Sequence, residues 1–425
     1  MGRTNLAAKH SSAIGRRFSS FGRNLKKRLT AYPMFYRRPG PVDIAAAGTL
    51  VVLVIFGLVM LFSASYATGY YRWNDSFRFI RPQILYALLG LALMFVVSRI
   101  DYRWLRGFTG GMYAFTALLL VVVLFMPAIG GHHRWINIPH LPTIQVSEIA
   151  KFTLIMALAN VMDLHRDRMG QAKYGLLAPL TLCGIFCLLI LPETHYSAIV
   201  LILCITVTMM WSGGVDLKWF ATAIAVGSLM LTVVLVTGHD YVKKRFAGWL
   251  DPFSDVENTT RQTAQSLYAV GSGGLFGRGL GNSRQKHLWL PEVTNDFIFS
   301  ILCEELGFVG AAFCIALFAA LIIRGVRIAL RAPDRFSGLV CIGIVAQIGF
   351  QALFNIAVVT NSVPNTGISL PFFSSGGTSL VMMLAEAGIL LSISRAGNAA
   401  ALEKKKKAQA ARKTGGPAEH QEGTL

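Results

Sequence analysis

Ile44-Ala-Ala-Ala-Gly-Thr-Leu-Val-Val-Leu-Val-Ile-Phe-Gly-Leu-Val-Met-Leu-Phe-Ser-Ala-Ser65 runs for 22 residues without one charged side chain. A secretory leader has an apolar run of about 7–15 residues, whereas a bilayer-spanning helix needs about 20. The stretch therefore reads as a retained first membrane helix, and Ser63-Ala64-Ser65 as its end rather than a cleavage site. Runs of the same kind recur at Pro82–Val97, Met112–Ile129, Val146–Met162, Tyr174–Leu191, Ser197–Trp211, Trp219–Val236, Phe297–Ile323, Phe336–Val359 and Leu380–Ile393. Over all 425 residues, 54% are hydrophobic and only 14% charged, against roughly 25% charged in a soluble domain. Mean hydropathy is +0.53. These values exclude a soluble enzyme, a nucleic-acid binder and a secreted disulfide scaffold. The expected fold is all-α, a polytopic integral membrane protein with ten transmembrane helices and one long extracytoplasmic loop.

The formal charge of +19 is concentrated at the ends. Residues 1–41 hold ten Lys/Arg and no Asp/Glu, and residues 395–425 hold seven Lys/Arg against three Glu. Basic segments beside apolar spans mark the cytoplasmic side and meet anionic headgroups. An even span count puts both termini there. The domain reading is a basic cytoplasmic arm (1–41), a membrane domain (42–395) and a basic, disordered cytoplasmic tail (396–425). No fold for nucleic-acid binding surrounds Arg16, Arg17, Lys26, Lys27 and Arg28. The six cysteines lie in or beside apolar runs, with no histidine spacing for zinc, and read as small core residues.

Between the seventh and eighth spans lies a loop of 59 residues, 237–295, with seven basic and five acidic side chains and several aromatics. Structureless loops beyond about 15 residues are uncommon and tend to be functional, so this one is expected to fold onto the membrane domain. Within it, Gly271-Ser-Gly-Gly-Leu-Phe-Gly-Arg-Gly-Leu-Gly281 has six glycines in eleven positions. The spacing is not a dinucleotide fingerprint. Such backbone could bring amides, with Arg278, Arg284 and Lys286, close to a phosphate; a re-entrant turn explains the glycines almost as well.

Ionisable groups at membrane depth are functional hypotheses by default. Glu148 and Lys151 stand at i, i+3 on one face of the fourth span, either as a structural ion pair or as a cation offered to an anionic ligand. Asp296 precedes the eighth span, whose 27 residues reach about 40 Å at about 1.5 Å each. The carboxyl group then sits at the outer surface, as a helix N-cap or as a general base for a hydroxyl. Glu304, Glu305 and Glu386 read as buried structural carboxylates. The final outer loop, Pro364-Asn-Thr-Gly-Ile-Ser-Leu-Pro-Phe-Phe-Ser-Ser-Gly-Gly-Thr-Ser379, cannot stay helical. Irregular backbone at that depth has to be buried or line a cavity.

Together these landmarks resemble the SEDS family of bacterial cell-wall polymerases, which includes FtsW, RodA and SpoVE. The matches are Phe62-Ser-Ala-Ser65, Gly130-Gly131 with Arg134-Trp135-Ile136, and Gln145-x-Ser-Glu-x-x-Lys151. They continue with Gln262-x-x-Gln-Ser266, Gly271-Ser-Gly-Gly-Leu-Phe-Gly277, Leu290-Pro-Glu292, Asn295-Asp-Phe-Ile-Phe299 and Glu304-Glu-Leu-Gly307. Pro364-x-Thr-Gly-x-x-Leu-Pro-Phe-Phe-Ser-x-Gly-Gly377 completes the set. The resemblance implies a glycosyltransferase that polymerises lipid II at the outer face of the bacterial cytoplasmic membrane. An acceptor sugar hydroxyl attacks the anomeric carbon of the growing chain, and undecaprenyl diphosphate leaves with inversion. It places the catalytic acid on Asp296. Glu148, Lys151, Arg134, Arg245 and Lys286 are implied to organise the cavity and hold diphosphate. Trp135, Gln262, Gln265, Ser266, Glu292, Thr366 and Ser374 are the further substrate-binding expectations.

The resemblance also implies a class B penicillin-binding protein as partner, together with other divisome proteins. It calls for no resident cofactor, a divalent cation being the one addition the chemistry leaves room for. Gly281-Asn-Ser-Arg-Gln-Lys286, Asn295-Asp296 and Leu390-Leu-Ser-Ile-Ser-Arg395 are similar to the FtsW and SpoVE branches more than to RodA, and the long basic arms suit cell division at the septum. One departure stands out. Relatives carry Pro-Asp-Leu-Gly-Thr after the fifth span, where this chain has Pro192-Glu-Thr-His-Tyr-Ser197. The acid of that motif then falls to Glu193 or, in a shifted register, to His195. The rival functions are a lipid II flippase and a scaffold that recruits the transpeptidase.

Overall fold

A run of apolar side chains wide enough to cover a whole helix leaves no polar face, so such helices are stable only in lipid or against one another. The computed structural model, which describes residues 33–36, 39–127, 133–137, 143–225, 228 and 240–414, is built on that plan. Seven described helical segments are long and apolar enough to cross a membrane: α1 (Ile44–Trp73), α2 (Ile80–Val97), α3 (Tyr102–Val123), Ala172–Glu193, α9 (Ile298–Leu330), α10 (Arg335–Val359) and α11, over Gly377–Ala410 of Gly377–Thr414. Ala172–Glu193 consists of a π-helical turn, α5 (Ala178–Ile190) and a closing 3-10 turn. Two more described helices, α4 (Val146–Leu164) and α6 (Tyr196–Ser212), pack with them. Among the described residues, strand is confined to β1 (Trp135–Ile136) and β2 (Ile144–Gln145), antiparallel with Trp135 opposite Gln145. The seventh run is helical over residues 217–225 and otherwise falls largely outside the described residues, as do most of the basic arm, Gly130-Gly131 and the last eleven residues.

Three helices begin with an aspartate cap. Asp43, Asp101 and Asp334 accept from the amides of Ala46, Arg103 and Ser337, each at 2.9 Å, satisfying donors that lipid would leave bare. Tyr102 donates to Asp334 and so joins the starts of α3 and α10. The same interactions correct one boundary. The third span begins at Tyr102 rather than Met112, because Asp101 caps it and Arg106 is neutralised by Asp163 at 2.6 Å. The tail expected to be disordered from 396 instead continues α11 to Thr414; its Ala, Glu, Lys and Arg residues are strong helix formers.

At the centre lies α4, with fourteen of its nineteen residues buried; it packs on α3, α6 and α10. A second group forms around α9, which packs on α1 and α10, while α11 lies along α2. The long loop folds onto this body as expected. It contributes α7 (Asp240–Leu250) and α8 (Arg261–Ser272), Trp249 and Asn361 exchange hydrogen bonds of 3.0 and 3.1 Å, and α8 rests on α9.

The glycines of that loop have a specific purpose. Helix α9 breaks at Gly307 (φ 65°, ψ −163°), and the loop 273–279 plugs into the break. Arg278 and Gly279 donate to the carbonyls of Glu304 and Glu305, both at 3.0 Å, and Phe308 and Val309 donate back to Gly274 and Leu275 at 2.9 and 3.1 Å. Two of the amides considered for phosphate, those of Arg278 and Gly279, are thus already committed to helix carbonyls. A Cβ on Gly307 would lie 2.3 Å from the Gly277 nitrogen. Gly307→Ala should therefore cost more than about 3 kcal/mol, from backbone strain plus overpacking. Gly271→Ala, where a Cβ meets nothing within 4 Å, should change stability by less than about 1 kcal/mol. Thermal unfolding of the detergent-solubilised protein compares the two.

Candidate active site

Asp296 belongs to a turn in which Asn295 and Phe297 both donate to the carbonyl of Glu292, at 3.0 and 3.3 Å. Glu292 takes a left-handed conformation (φ 55°) to allow this. The cap position of α9 falls on Phe297, and no side chain caps the helix, so the capping role considered for Asp296 is not realised. Its carboxyl group is half-buried and lies against Gly367 (φ 71°). A Cβ there would be 3.4 Å from Asp296 Oδ2 and 4.0 Å from Ser197 Oγ. A glycine keeps this space open.

The last loop is stitched to the same turn through backbone carbonyls. Asn355 Nδ2 donates to Asp296 O and Ile368 O, both at 2.7 Å. Ser374 Oγ donates to Asn295 O at 2.6 Å, and the Ser375 amide to Thr294 O at 2.7 Å. Ser197 donates to Thr366 O, and Arg245 to Asn365 O; Asn365 Nδ2 donates to Gln262 Oε1 at 2.9 Å. Four separated stretches thereby meet around one carboxyl group. Burial pushes Asp296 up to about 6 and nearby Glu292 adds to this, while Arg134 and Arg245 pull it down. The Arg134 guanidinium lies 4.2 Å above the Trp135 ring and also acts on Glu193. Glu193 is fully buried, and neither of its carboxylate oxygens has a hydrogen-bond partner among the described residues.

Below this level a polar column enters the bundle. Lys151 Nζ is 2.8 Å from Glu148 Oε1 and donates to Gln351 Oε1 at 3.2 Å. Ser379 donates to Glu148 Oε2 at 3.1 Å, and Gln347 Nε2 to Glu386 Oε2 at 2.9 Å. Every ionisable member is almost wholly buried. The ion pair between Glu148 and Lys151 is therefore real, with its ammonium already held by two acceptors.

Other expected site residues are held structurally. Ser266 donates to Val359 O and shares a hydrogen bond with Ser300, each 2.8 Å; Gln265, beside it, is buried. Glu292 is exposed and accepts from Asn295 Nδ2 at 2.7 Å. Thr366 has a buried hydroxyl with no hydrogen-bond partner among the described residues. Lys286 departs most from expectation. It is wholly buried, 2.6 Å from Glu305 Oε1 and 4.6 Å from the centre of the Tyr66 ring, in the junction between the glycine loop and α9. Asn355, Asn365, Ser197 and Gln351 are not among the residues expected at the site. A cue was present, since Gln347, Gln351 and Asn355 follow at i, i+4 and i+8 in an otherwise apolar run.

The fold and site define a multi-span helical membrane protein in which loops from several spans gather one half-buried carboxyl group and two arginines above a buried ion pair. The chain belongs to the FtsW/RodA/SpoVE family: the family model described as "Cell cycle protein" matches residues 45–399. It is 39% identical to stage V sporulation protein E of Bacillus subtilis, over 82% of this chain and 95% of that one. It is 37% identical to a probable peptidoglycan glycosyltransferase FtsW of Geobacter metallireducens, over 81% and 92%. Among solved structures it is similar to a chain reported under "Structural coordination of polymerization and crosslinking by a peptidoglycan synthase complex", with TM-score 0.70, 27% identity and coverage of 84% and 98%. It is also similar to the Thermus thermophilus rod shape determining protein RodA, with TM-score 0.63, 25% identity and coverage of 83% and 97%.

Proposed function

We propose that this chain is a peptidoglycan glycosyltransferase that polymerises lipid II into glycan strands at the outer face of the bacterial cytoplasmic membrane, at the division septum. The carrying observation is Asp296: half-buried, released from capping α9, and faced by Arg134 and Arg245. A sugar hydroxyl brought to it gives up its proton to the carboxylate while its oxygen bonds to the anomeric carbon. The bond from that carbon to the diphosphate oxygen breaks, and the electron pair leaves with the lipid diphosphate. Arg134 and Arg245 offset the charge developing there. The opposite approach of nucleophile and leaving group inverts the anomeric centre. Glu148 and Lys151 brace the floor of the cavity. The relatives named as probable FtsW glycosyltransferases support the division branch, and a class B penicillin-binding protein and other divisome proteins are the partners. Both termini lie in the cytoplasm on this reading, residues 1–41 and the end of α11 forming basic appendages to a membrane domain over 42–395.

Purified protein with lipid II in detergent, read as glycan length on a gel, tests the activity. Polymer supports the glycosyltransferase. No polymer, with lipid II crossing the bilayer of proteoliposomes, would instead establish a flippase, and absence of both a scaffold. Because the base must be ionised, polymerisation should rise as pH increases through about 6 and level off above it. A rate that stays flat between pH 5 and 7 assigns the proton transfer to another group.

A further inference from the structure

Away from Asp296, the glycine loop and α8 enclose a cleft of about 410 Å³, lined by Tyr268, Ser272, Arg278, Arg284, Gln285 and Glu304 among others. We propose that this cleft holds the phosphate of a lipid headgroup, clamped by Arg278 and Arg284. Both arginines are exposed. Arg278 Nε has a weak contact with Ser272 O at 3.4 Å and lies 3.9 Å from Glu304 Oε1, and the Arg284 guanidinium has no partner among the described residues. The one carboxylate lining the cleft is already engaged: Glu304 accepts from Ser283 Oγ at 2.5 Å and from the amides of Arg284 and Gln285 at 2.9 and 3.3 Å. The cleft therefore presents two guanidinium groups with donors to spare, and planar guanidinium matches phosphate oxygens in pairs.

The surroundings say that the phosphate is a lipid's. Leu275, Phe276 and Leu280 are 56%, 76% and 53% exposed and flank Arg278. Apolar side chains alternating with arginine suit the headgroup boundary, where the chains enter lipid and the charges stay at its surface. The level is right as well. From Gly307, against which this loop is plugged, 17 residues of α9 remain to Ile323, the last before Arg324, about 25 Å at 1.5 Å per residue. That is about 5 Å short of a hydrocarbon core of about 30 Å, a gap that the long arginine side chains span, so the break lies near the membrane boundary on the side of Asp296. The walls are preorganised: the Arg278 amide is fixed on Glu304 O, and the Tyr268 ring stacks on Phe253 at 5.7 Å. This site is independent of any chemistry at Asp296.

The test uses the full-length protein in nanodiscs containing equal phosphatidylglycerol and phosphatidylcholine, with retained lipid read by native mass spectrometry. Wild type should retain phosphatidylglycerol selectively. The Arg278→Ala/Arg284→Ala variant should lose about tenfold or more in that retention, as expected for removing charged hydrogen bonds. Arg324→Ala/Arg327→Ala, at the other end of α9, should keep it. Competition with a polyprenyl diphosphate separates the sources: displacement identifies a lipid-linked diphosphate as the stronger occupant, and no displacement a phospholipid. Equal retention of both phospholipids by wild type, or unchanged retention by a double variant that melts like wild type, overturns the proposal. Asp296→Asn should retain the lipid in full, so failure of this site and failure of the glycosyltransferase reading are told apart.

Discussion

Asp296→Asn should lower glycan polymerisation by about two to four orders of magnitude, the usual contribution of a positioned general base, while the protein becomes more stable. The two effects share one cause. The native state lifts this carboxyl group from 3.8 to about 6, through burial first and Glu292 second. A folded pKa above the unfolded one contributes stability that is complete below 3.8 and is lost as pH rises through 6. At neutral pH the ionised side chain therefore strains the fold, by at most about 3 kcal/mol at about 1.4 kcal/mol per pH unit and less for its partial exposure. Asparagine keeps the shape and removes the charge. A higher melting temperature at pH 7.5 that converges on wild type at pH 4, together with lost polymer, is the expected pair of results. A variant that polymerises at the wild-type rate ends the proposal for Asp296.

The spans were legible because lipid demands continuous apolar runs, and Ile44–Ser65 announces α1 on composition alone. Long-range packing was not. Nothing in Met112–Ile129 says that α3 starts ten residues earlier; that depends on Asp163, 57 residues beyond Arg106, neutralising it. At the site, the i, i+3 spacing of Glu148 and Lys151 is a local property, legible without the fold, and the two charges meet at 2.8 Å. The setting of Asp296 is non-local. It needs Gly367, Ser197, Arg134 and Arg245 from four other parts of the chain, and a single sequence carries no register between them. The glycine run was ambiguous for the same reason. Six glycines suit an anion nest or a close backbone junction equally, and only the break at Gly307 shows which one they serve.

Lys286→Met should be the most destabilising of the charge removals, at about 3–5 kcal/mol, because breaking a buried pair leaves its partner charged and uncompensated. Glu305, wholly buried, keeps hydrogen bonds from Ser63 Oγ at 2.5 Å and the Ser283 amide at 3.3 Å, but neither neutralises it. The loss should appear as a collapse in folded yield from the membrane. Replacing both members, Lys286→Met with Glu305→Gln, removes the orphan charge and retains the hydrogen bonds, so yield and melting temperature should recover most of the loss. Polymerisation then decides what the lysine is for. Recovery of activity along with stability makes Lys286 a clasp that seats the glycine loop in the break of α9 and so fixes the turn that carries Asp296. A well-folded, inactive double variant would mean that the ammonium leaves its pocket to meet the substrate diphosphate, as the sequence had suggested, and would require the junction to open during turnover.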